Sequence, residues 1–331
     1  MISVCGVKGS AGASTLALLA TSTWPTRAVL VEADPVGGDL ALTLSGPQGQ
    51  VLPAKPSIAE LALSAAQRMP STERVWAAAL QTSAGPVVCG IPSAEPMSKV
   101  LREYGRHLAA MLSGEPDVVV DAGRLSPDTA ALPLLAASNV VAVMLPDRPE
   151  ALFRLTDLLP GLASVLRVED DVRSVIVPVV VATAHRGPAA AREVDEVLAQ
   201  RHIPAAKAHW LGWDPKAADA VRGAAARAHR SVLVRTAPTV VEALAAEQYS
   251  VIEQRAARAR QASAQFSDAA SQWRGMGVSA AASVAPAPAQ VRTTAPLGDG
   301  SMHPQTSEDL RRRIYEPIDG RGRGSGVNGH G

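Results

Sequence analysis

Aromatic side chains are scarce in this sequence, which has two Phe, three Tyr and five Trp among its 331 residues. Hydrophobic residues nevertheless make up 47% of the chain, so its core must consist mainly of Ala, Val and Leu. Such small aliphatic side chains suit helices packed tightly on a parallel sheet better than a sandwich of aromatic strands. The length allows one large domain or two small ones.

Cysteine is almost absent as well, since only Cys5 and Cys89 are present, each inside an apolar run. Their spacing fits neither a metal-ligand motif nor a disulfide framework, so we expect two buried, reduced thiols. No apolar run reaches the roughly 18 residues of a transmembrane helix. The chain starts directly on a strand-like segment, which leaves no room for a signal peptide. These absences predict a cytoplasmic protein.

The chain also lacks an excess of either charge, because its formal net charge is +1. Residues 251–331 contain 10 Arg and 7 acidic residues, which leaves residues 1–250 slightly acidic. This balance argues against nucleic acid as an obvious partner. A local basic cluster keeps DNA binding open, and a solvated helix face is the other interpretation of it. Its members are Arg222, Arg227, Arg230 and Arg235.

Strand-like and helix-like segments alternate through the first 250 residues. Short apolar runs rich in β-branched residues predict seven strands, at residues 2–6, 28–31, 86–90, 117–120, 140–145, 175–181 and 206–211. Amphipathic segments between them predict helices at residues 14–23, 57–66, 71–80, 96–112, 128–136, 150–166 and 189–201. The alternation predicts an α/β fold with a doubly wound, mostly parallel sheet and helices on both faces, over residues 1–250.

The composition changes towards the end of the chain. Residues 239–272 predict one long polar helix, so residues 251–275 are assigned to a C-terminal helical extension. Residues 276–331 are rich in Pro, Ala, Gly and Arg, which predicts a disordered tail. Inside the tail, residues 307–316 begin with a helix-start signal and carry Leu310 and Ile314 four positions apart. A short docking motif and a chance helical fragment are both open interpretations.

A loop of small residues follows the first strand and leads directly into a helix. It reads Lys8, Gly9, Ser10, Ala11, Gly12, Ala13, Ser14 and Thr15. Small residues let backbone N–H groups approach phosphate oxygens, and the helix N-terminus adds the positive end of its dipole. The loop therefore predicts a phosphate site, with a ligand-free strand–helix turn as the other interpretation.

The loop matches the standard P-loop, G-x-x-x-x-G-K-[ST], only in part. In that motif the Lys reaches the β- and γ-phosphates and the Ser or Thr holds Mg²⁺. Gly12 and Ser14 fit the pattern, whereas Val7 stands at the first Gly and Ala13 stands at the Lys. The substitution at position 13 removes the main point charge on the phosphates but leaves the backbone cradle and the Mg²⁺ ligand.

Acidic residues follow two of the predicted strands. Asp34 comes at the exit of the second strand, and Asp121 directly follows the fourth. An Asp at the C-terminal end of a strand beside the P-loop strand is where a Mg²⁺-bound water is held. The sequence thus predicts an acidic pair near the loop, and a capped strand end is the other interpretation of each residue.

Three segments together resemble the MinD/ParA family of ATPases, which carry a deviant Walker A loop in the SIMIBI class. They are residues 8–15, residues 31–41 (Val-Glu-Ala-Asp-Pro-Val-Gly-Gly-Asp-Leu-Ala) and residues 121–125 (Asp-Ala-Gly-Arg-Leu). The resemblance extends from Ile2 to about Leu244 and is closest to an actinobacterial branch similar to the CpaE/TadZ proteins. It implies a P-loop NTPase-like fold, ATP and Mg²⁺ as cofactors, and a nucleotide-linked homodimer.

The resemblance also implies roles for individual residues. Lys8 stands at the signature lysine, which in the family reaches the partner's nucleotide across the dimer, and Asp34 would orient water or the Mg²⁺ shell. Lys8 and Asp34 are therefore the catalytic candidates. The metal candidates are Ser14, Asp34 and Asp121. The nucleotide-binding candidates are residues 8–15, Trp213 and Asp214. Trp213 would stack on a purine or else serve as a core aromatic.

We therefore expect a MinD/ParA-like switch or scaffold that binds ATP or ADP with weak or absent hydrolysis. Its output would be spatial positioning or recruitment of a protein partner, as in pilus or secretion machinery, division or partitioning. Two alternatives stay open: an active ParA-like ATPase that positions DNA or cargo, and a pure interaction protein on a relic fold. The resemblance places the protein in the cytoplasm, peripheral at a membrane only through a partner.

Overall fold

The computed structural model describes residues 1–9, 11–67, 72–114, 117–166, 174–223 and 230–275. The chain divides into a compact unit, Met1–Ala264, and a second unit that begins at Gln265. Of the second unit, residues 265–275 are described, and they are helical. The predicted disordered tail, the motif at 307–316, Ser10 and Arg227 lie outside the described residues.

A single sheet forms the centre of the first unit. Its strands are β1 (Ile2–Gly6), β2 (Val29–Glu32), β3 (Leu80–Thr82), β4 (Gly85–Val88), β5 (Val118–Arg124), β6 (Val140–Pro146), β7 (Val175–Ala182) and β8 (His209–Gly212). In the described part of the chain they run in the order β3-β4-β2-β5-β1-β6-β7-β8. All neighbouring pairs are parallel except β3 and β4. The predicted mostly parallel α/β sheet is confirmed.

Helices surround this sheet. They are α1 (Ala13–Thr23), α2 (Leu40–Thr43), α3 (Ile58–Gln67), α4 (Thr72–Ala78), α5 (Ala94–Ser113), α6 (Leu132–Ala137), α7 (Pro149–Val165), α8 (Gly187–Gln200), α9 (Pro215–Gly223) and α10 (Val232–Gly275). One hydrophobic core joins a sheet face to α1, α9 and the first part of α10. Small side chains fill it, including Ala17, Ala142 and Ala237, as the scarcity of aromatic residues predicts.

The predicted helix over residues 71–80 is wrong at its end, because residues 80–82 form β3 instead. Gly85 follows them with φ +113°, a left-handed conformation that glycine adopts without strain. The Thr82 hydroxyl donates to the Gly85 carbonyl at 2.7 Å and accepts from the Ala84 N–H at 3.1 Å. These turn contacts bring β3 back against β4 as an antiparallel hairpin.

The long helix α10 begins earlier than the predicted residue 239. Its first turns are apolar on one side, where Leu233, Ala237, Val241 and Leu244 are buried in the core. Their spacing of three and four residues is that of a helix packing one face against a core. Val251 is also buried, so burial continues past the predicted domain boundary at residue 250. That boundary stays a prediction, and α10 crosses it without a break.

Candidate functional site

Parallel strands bring their carboxyl ends to one edge of the sheet, and the predicted site lies at that edge. The P-loop strand β1 stands between β5 and β6 in the middle of the sheet. Val7 donates its N–H to the Met144 carbonyl at 3.0 Å, and Leu125 donates to the Gly6 carbonyl at 2.8 Å. Both flanking strands thus hold the start of the loop, in the crevice where ligands of open α/β sheets bind.

The loop from β1 to α1 is tight. Gly12 has φ +89°, and a Cβ placed on Gly6 would lie 2.9 Å from the Cβ of Ala11. The first helical hydrogen bond joins the Leu16 N–H to the Gly12 carbonyl at 2.9 Å. The N–H groups of residues 13–15 precede this bond and point out of the helix end, which makes an anion cradle.

Side chains of the loop differ in exposure. Lys8 and Gly9 are exposed, Ala13 and Ser14 are half-buried, and Thr15 is buried. Ala13 contributes no charge, so the cradle itself offers backbone N–H groups and the hydroxyl of Ser14. The exposed position of Lys8 leaves its role across a dimer a prediction.

Asp121 is a buried carboxylate beside this loop. It pairs in register with Val4 of β1 and Glu32 of β2. Its Oδ1 accepts the Gly123 N–H at 3.2 Å, whereas its Oδ2 has no hydrogen-bond partner among the described residues. Burial, reinforced by the charge of Asp34, raises the pKa of Asp121 to about 6, against the opposing effect of a Ser14 hydrogen bond. A cation at Oδ2 would satisfy this orphaned oxygen.

Asp34 leaves β2 on a turn that aims its carboxylate at the same place. Its Oδ1 accepts the Val36 N–H at 2.9 Å. The carboxylate lies over Gly123, where an added Cβ would collide with it. Burial and the nearby charge of Asp39 raise the pKa of Asp34, while the Val36 N–H acts against them. Gly123 has φ +63°, so both its conformation and its contact with Asp34 require glycine.

The structure therefore brings together the three predicted metal residues, Ser14, Asp34 and Asp121. Within the described ranges, no group of three or more His, Cys, Asp or Glu residues could hold a metal ion by itself. Two carboxylates and a hydroxyl instead suit Mg²⁺, which takes few protein ligands and completes its shell with phosphate oxygens and water. The donor set fits a Mg²⁺–nucleotide, and its use for that purpose stays a prediction.

Glu32 is a functional candidate that sequence reasoning missed. It is buried, and its carboxylate accepts the N–H groups of Leu40 at 3.0 Å and Gly90 at 2.8 Å. A Cβ on Gly38 would collide with it. Burial raises the pKa of Glu32 to about 7, despite these hydrogen bonds. Glu32 thus fastens the segment after Asp34 to the end of β4, and the signal was an acidic residue inside an apolar strand.

Trp213 lies on the other side of the loop. Its backbone N–H donates to the Ala182 carbonyl at 2.7 Å, and the residue is 54% exposed, so it is a surface residue and not a core aromatic. Together with Gly12 and Thr15 it lines a small cavity of about 50 Å³. The indole is therefore placed beside the loop, as stacking on a base would require.

Asp214, the other predicted nucleotide residue on this side, is engaged within the protein. Its Oδ1 accepts the Ala217 N–H at 3.1 Å, which caps α9, and its Oδ2 accepts the Ser231 hydroxyl at 2.8 Å. The Ser231 hydrogen bond, aided by the Ala217 N–H, lowers the pKa of Asp214. These contacts fix the start of α9 next to the loop.

Solved structures with similar backbones include ATPases of the ParA and MinD types. A ParA family ATPase from Chlorobium tepidum TLS matches with a TM-score of 0.54 and 19% identity, over 72% of this chain and 98% of that one. The fold is that of the ParA/MinD ATPases. The cell division ATPase MinD of Pyrococcus furiosus matches with a TM-score of 0.51 and 15% identity, over 73% and 98% of the two chains.

A third structure with the ParA/MinD fold contains ligands. It is the cobyrinic acid a,c-diamide synthase from Mycobacterium smegmatis with bound ATP analog and magnesium, which matches with a TM-score of 0.51 and 19% identity, over 73% and 93% of the two chains. Identities this low establish the fold alone. No protein-family model matches the sequence, and the comparison with curated proteins gives no match. The narrower likeness to CpaE/TadZ proteins stays a prediction.

The basic cluster predicted as a DNA-binding alternative is divided in this ParA/MinD fold. Arg230 and Arg235 are exposed, whereas Arg222 is half-buried and its Nη2 lies 3.5 Å from the Thr15 hydroxyl. Sequence reasoning missed Arg222 as a site residue, because nothing in the local pattern distinguishes it from its neighbours. Among the helices that the structure describes, none is long and apolar enough to cross a membrane.

Proposed function

We propose that this chain is a MinD/ParA-like ATP-binding switch or scaffold with weak or absent hydrolysis. The observation that carries the proposal is the convergence of Ser14, Asp34 and Asp121 beside a phosphate-type loop in which residue 13 is alanine. A site that had lost its function would have no reason to keep a buried carboxylate with an unpaired oxygen. The neighbour with bound ATP analog and magnesium supports the choice of ligands.

Different groups of the site would bind the nucleotide and the metal ion. Backbone N–H groups at the start of α1 would bind phosphate oxygens, and Ser14 and Asp121 would hold Mg²⁺, with Asp34 in its outer shell. Mg²⁺ would supply positive charge to the phosphates. Asp34 could orient a water molecule, but an alanine at position 13 removes a charge that stabilises the transition state of phosphoryl transfer. Binding without efficient turnover follows.

The output would be a nucleotide-linked homodimer that recruits a protein partner for spatial positioning. The proposal rests on the fold shared with a cell division ATPase and on the exposed Lys8 at the signature position. The CpaE/TadZ likeness suggests pilus or secretion machinery as the recruited assembly. In the DNA-positioning alternative the arginine cluster would face solvent together, and the position of Arg222 favours the nucleotide interpretation over it.

The decisive experiment is a calorimetric titration of the full chain with ATP and with ADP, each in the presence and absence of Mg²⁺. We expect saturable binding that Mg²⁺ strengthens, together with ATP turnover far below that of intact ParA-type enzymes. Turnover at the rate of those enzymes would contradict the switch, and absence of binding at millimolar nucleotide would contradict the whole proposal.

Two variants separate the roles of the loop residues. Ala13→Lys restores the usual P-loop charge, so we expect faster ATP turnover from this variant. Lys8→Ala should leave binding to the monomer nearly unchanged but abolish ATP-dependent dimerisation, measured by analytical ultracentrifugation. A chain that dimerises equally well without Lys8 would contradict the intermolecular role.

A further inference from the structure

The helix α9 places an arginine against the nucleotide loop. Asp214 caps the helix, and Ala217 is buried in the core that α9 shares with α1. Ala218 lines the cavity beside Gly12 and Thr15. Because side chains four residues apart lie on the same helix face, Arg222 is directed to the same side as Ala218.

Two contacts show where the guanidinium group of Arg222 lies. Its Nη2 is 3.5 Å from Oγ1 of Thr15, the second residue after Ala13. Its positive charge also opposes the rise in the pKa of Asp121 that burial causes, so the guanidinium lies within electrostatic reach of the acidic side of the site. An arginine on α9 thus stands where its charge acts on both halves of the site.

The Nε of Arg222 is buried and has no hydrogen-bond partner in the part of the chain that the structure describes. A buried donor on a charged group is costly to leave unpaired. Thr15 offers one neutral oxygen at the limit of hydrogen-bond length, which satisfies little of a group with five N–H donors. Among the described residues no acceptor lies within hydrogen-bond distance of Nε, and a bound anion would provide one.

We infer that Arg222 supplies the positive charge on the nucleotide polyphosphate that Ala13 leaves out. The inference rests on the proposed nucleotide site and adds a residue to it. Arginine suits this role because its planar donors bind two phosphate oxygens at once. The charge comes from α9, a different element from the helix that carries the lysine of a standard P-loop. A purely structural Arg222, which only balances the charge of Asp121, is the competing explanation.

The first test compares Arg222→Ala with Arg235→Ala, in which an exposed arginine of α10 is removed. Full-length protein is titrated with ATP and with inorganic tripolyphosphate at constant Mg²⁺. Loss of a charge-assisted contact should weaken both ligands by about 10- to 100-fold in Arg222→Ala and leave Arg235→Ala like the original chain. Equal affinity of Arg222→Ala and the original chain overturns the inference. Failure of the original chain to bind ATP overturns the proposed function as well, so the two failures are distinguishable.

The second test separates ligand binding from structural support. Ala13→Lys is introduced alone and into Arg222→Ala, which gives a double-mutant cycle for ATP affinity. If the two positions serve the same phosphates, the lysine should restore most of the lost affinity in the double variant and add little when Arg222 is present. Strictly additive effects overturn the inference. Arg222→Met, which keeps the aliphatic stem for packing, should lose affinity as Arg222→Ala does while unfolding at the temperature of the original chain.

Discussion

At the scale of single residues, the candidate site combines two carboxylates with an alanine where a standard P-loop has a lysine. Burial raises the cost of ionising both Asp121 and Asp34, and the charge of Asp34 adds to that cost for Asp121. Such a pair is unfavourable without a cation, so the unliganded site stores electrostatic strain that a Mg²⁺–nucleotide would relieve. Ligand binding and protein stability should therefore be coupled.

Gly123 is the residue whose replacement tests this acidic pair. In Gly123→Ala the new Cβ meets the Asp34 carboxylate, and the left-handed backbone becomes strained. We expect the free energy of unfolding, measured by urea denaturation, to fall by about 1–2 kcal/mol. We also expect ATP binding, measured by calorimetry, to lose its dependence on Mg²⁺. Gly161→Ala is the control: it lies exposed on α7 with open space around its Cβ position, and should be neutral or stabilising. Unchanged Mg²⁺ dependence in Gly123→Ala would remove Asp34 from the metal site.

Trp213 tests whether a base lies beside the loop. Trp213→Ala should lower ATP affinity by roughly 5- to 30-fold, since stacking on an aromatic contributes about 1–2 kcal/mol. Tripolyphosphate has no base, and its affinity should not change. The exposed Phe153 on α7 offers a matched control, Phe153→Ala, for which neither ligand should respond. If both ligands weaken equally with Trp213→Ala, the indole supports the loop and does not bind a base.

At the scale of secondary-structure elements, capping contacts explain a helix that the hydrophobic pattern does not predict. The helix α9 was not predicted, because it is short and alanine-rich and shows no clear apolar stripe. The structure forms it because Asp214 caps its first turn and Ala217 finds a place in the core. Helices α1 and α3 were predicted nearly at their observed bounds. The apolar residues of α3 recur with helical spacing, whereas residues 15–21 of α1 are buried without a break.

The start of α3 gives a prediction with a pH dependence. The Ser57 hydroxyl accepts the Ala59 N–H at 3.2 Å, and Glu60 accepts the Ser57 backbone N–H at 3.0 Å, which is a capping arrangement. Burial alone would raise the pKa of Glu60, but hydrogen bonds from Ser57 and Lys55 outweigh it and hold that pKa below its ordinary value. A carboxylate whose pKa is lowered in the folded state stabilises the fold at pH values above its ordinary, unfolded-state pKa. This stabilisation is lost as the pH falls through the folded-state pKa.

We therefore expect Ser57→Ala to cost about 1 kcal/mol of unfolding free energy at pH 7. The cost should shrink as the pH falls below the ordinary pKa of Glu60, because a protonated carboxyl gains less from these hydrogen bonds. Urea unfolding at several pH values measures it, with the exposed Ser113→Ala as the control. A penalty that is constant with pH would mean that Glu60 takes no part in the cap.

At the scale of the whole molecule, the first unit ends within α10, at Ala264. Val251 is buried, and the Arg255 guanidinium donates to the Asn139 side chain at the amino end of β6. A chain that ends at residue 250 loses both contacts, so we expect it to be less stable than a chain ending at residue 264 by at least about 2 kcal/mol. Chemical denaturation of the two chains measures the difference. Equal stability would place the boundary at residue 250.

The chain that ends at residue 264 also tests the proposed function. All the site residues lie within Met1–Ala264, so a chain ending at residue 264 should bind ATP like the full chain. The alternative of a pure interaction protein on a relic fold requires residues 276–331 for partner recruitment. Recruitment that survives their deletion would exclude that alternative.

The sheet class, the small-residue loop and the acidic residues beside it are all predicted from the sequence, because they depend on local patterns. Short β-branched runs are typical of buried strands covered by helices, and a small-residue turn before a helix exposes N–H groups that suit an anion. The missing charge at position 13 was also predicted, since the sequence shows alanine where a standard P-loop has lysine. Three features become visible only in the folded chain: Glu32 binds the segment after Asp34, Asp214 caps α9, and Arg222 lies beside Thr15. The contacts of Glu32 with Gly90 and of Arg222 with Thr15 join residues far apart in the chain. The position of Arg222 depends on how α9 packs against α1, which no local pattern encodes.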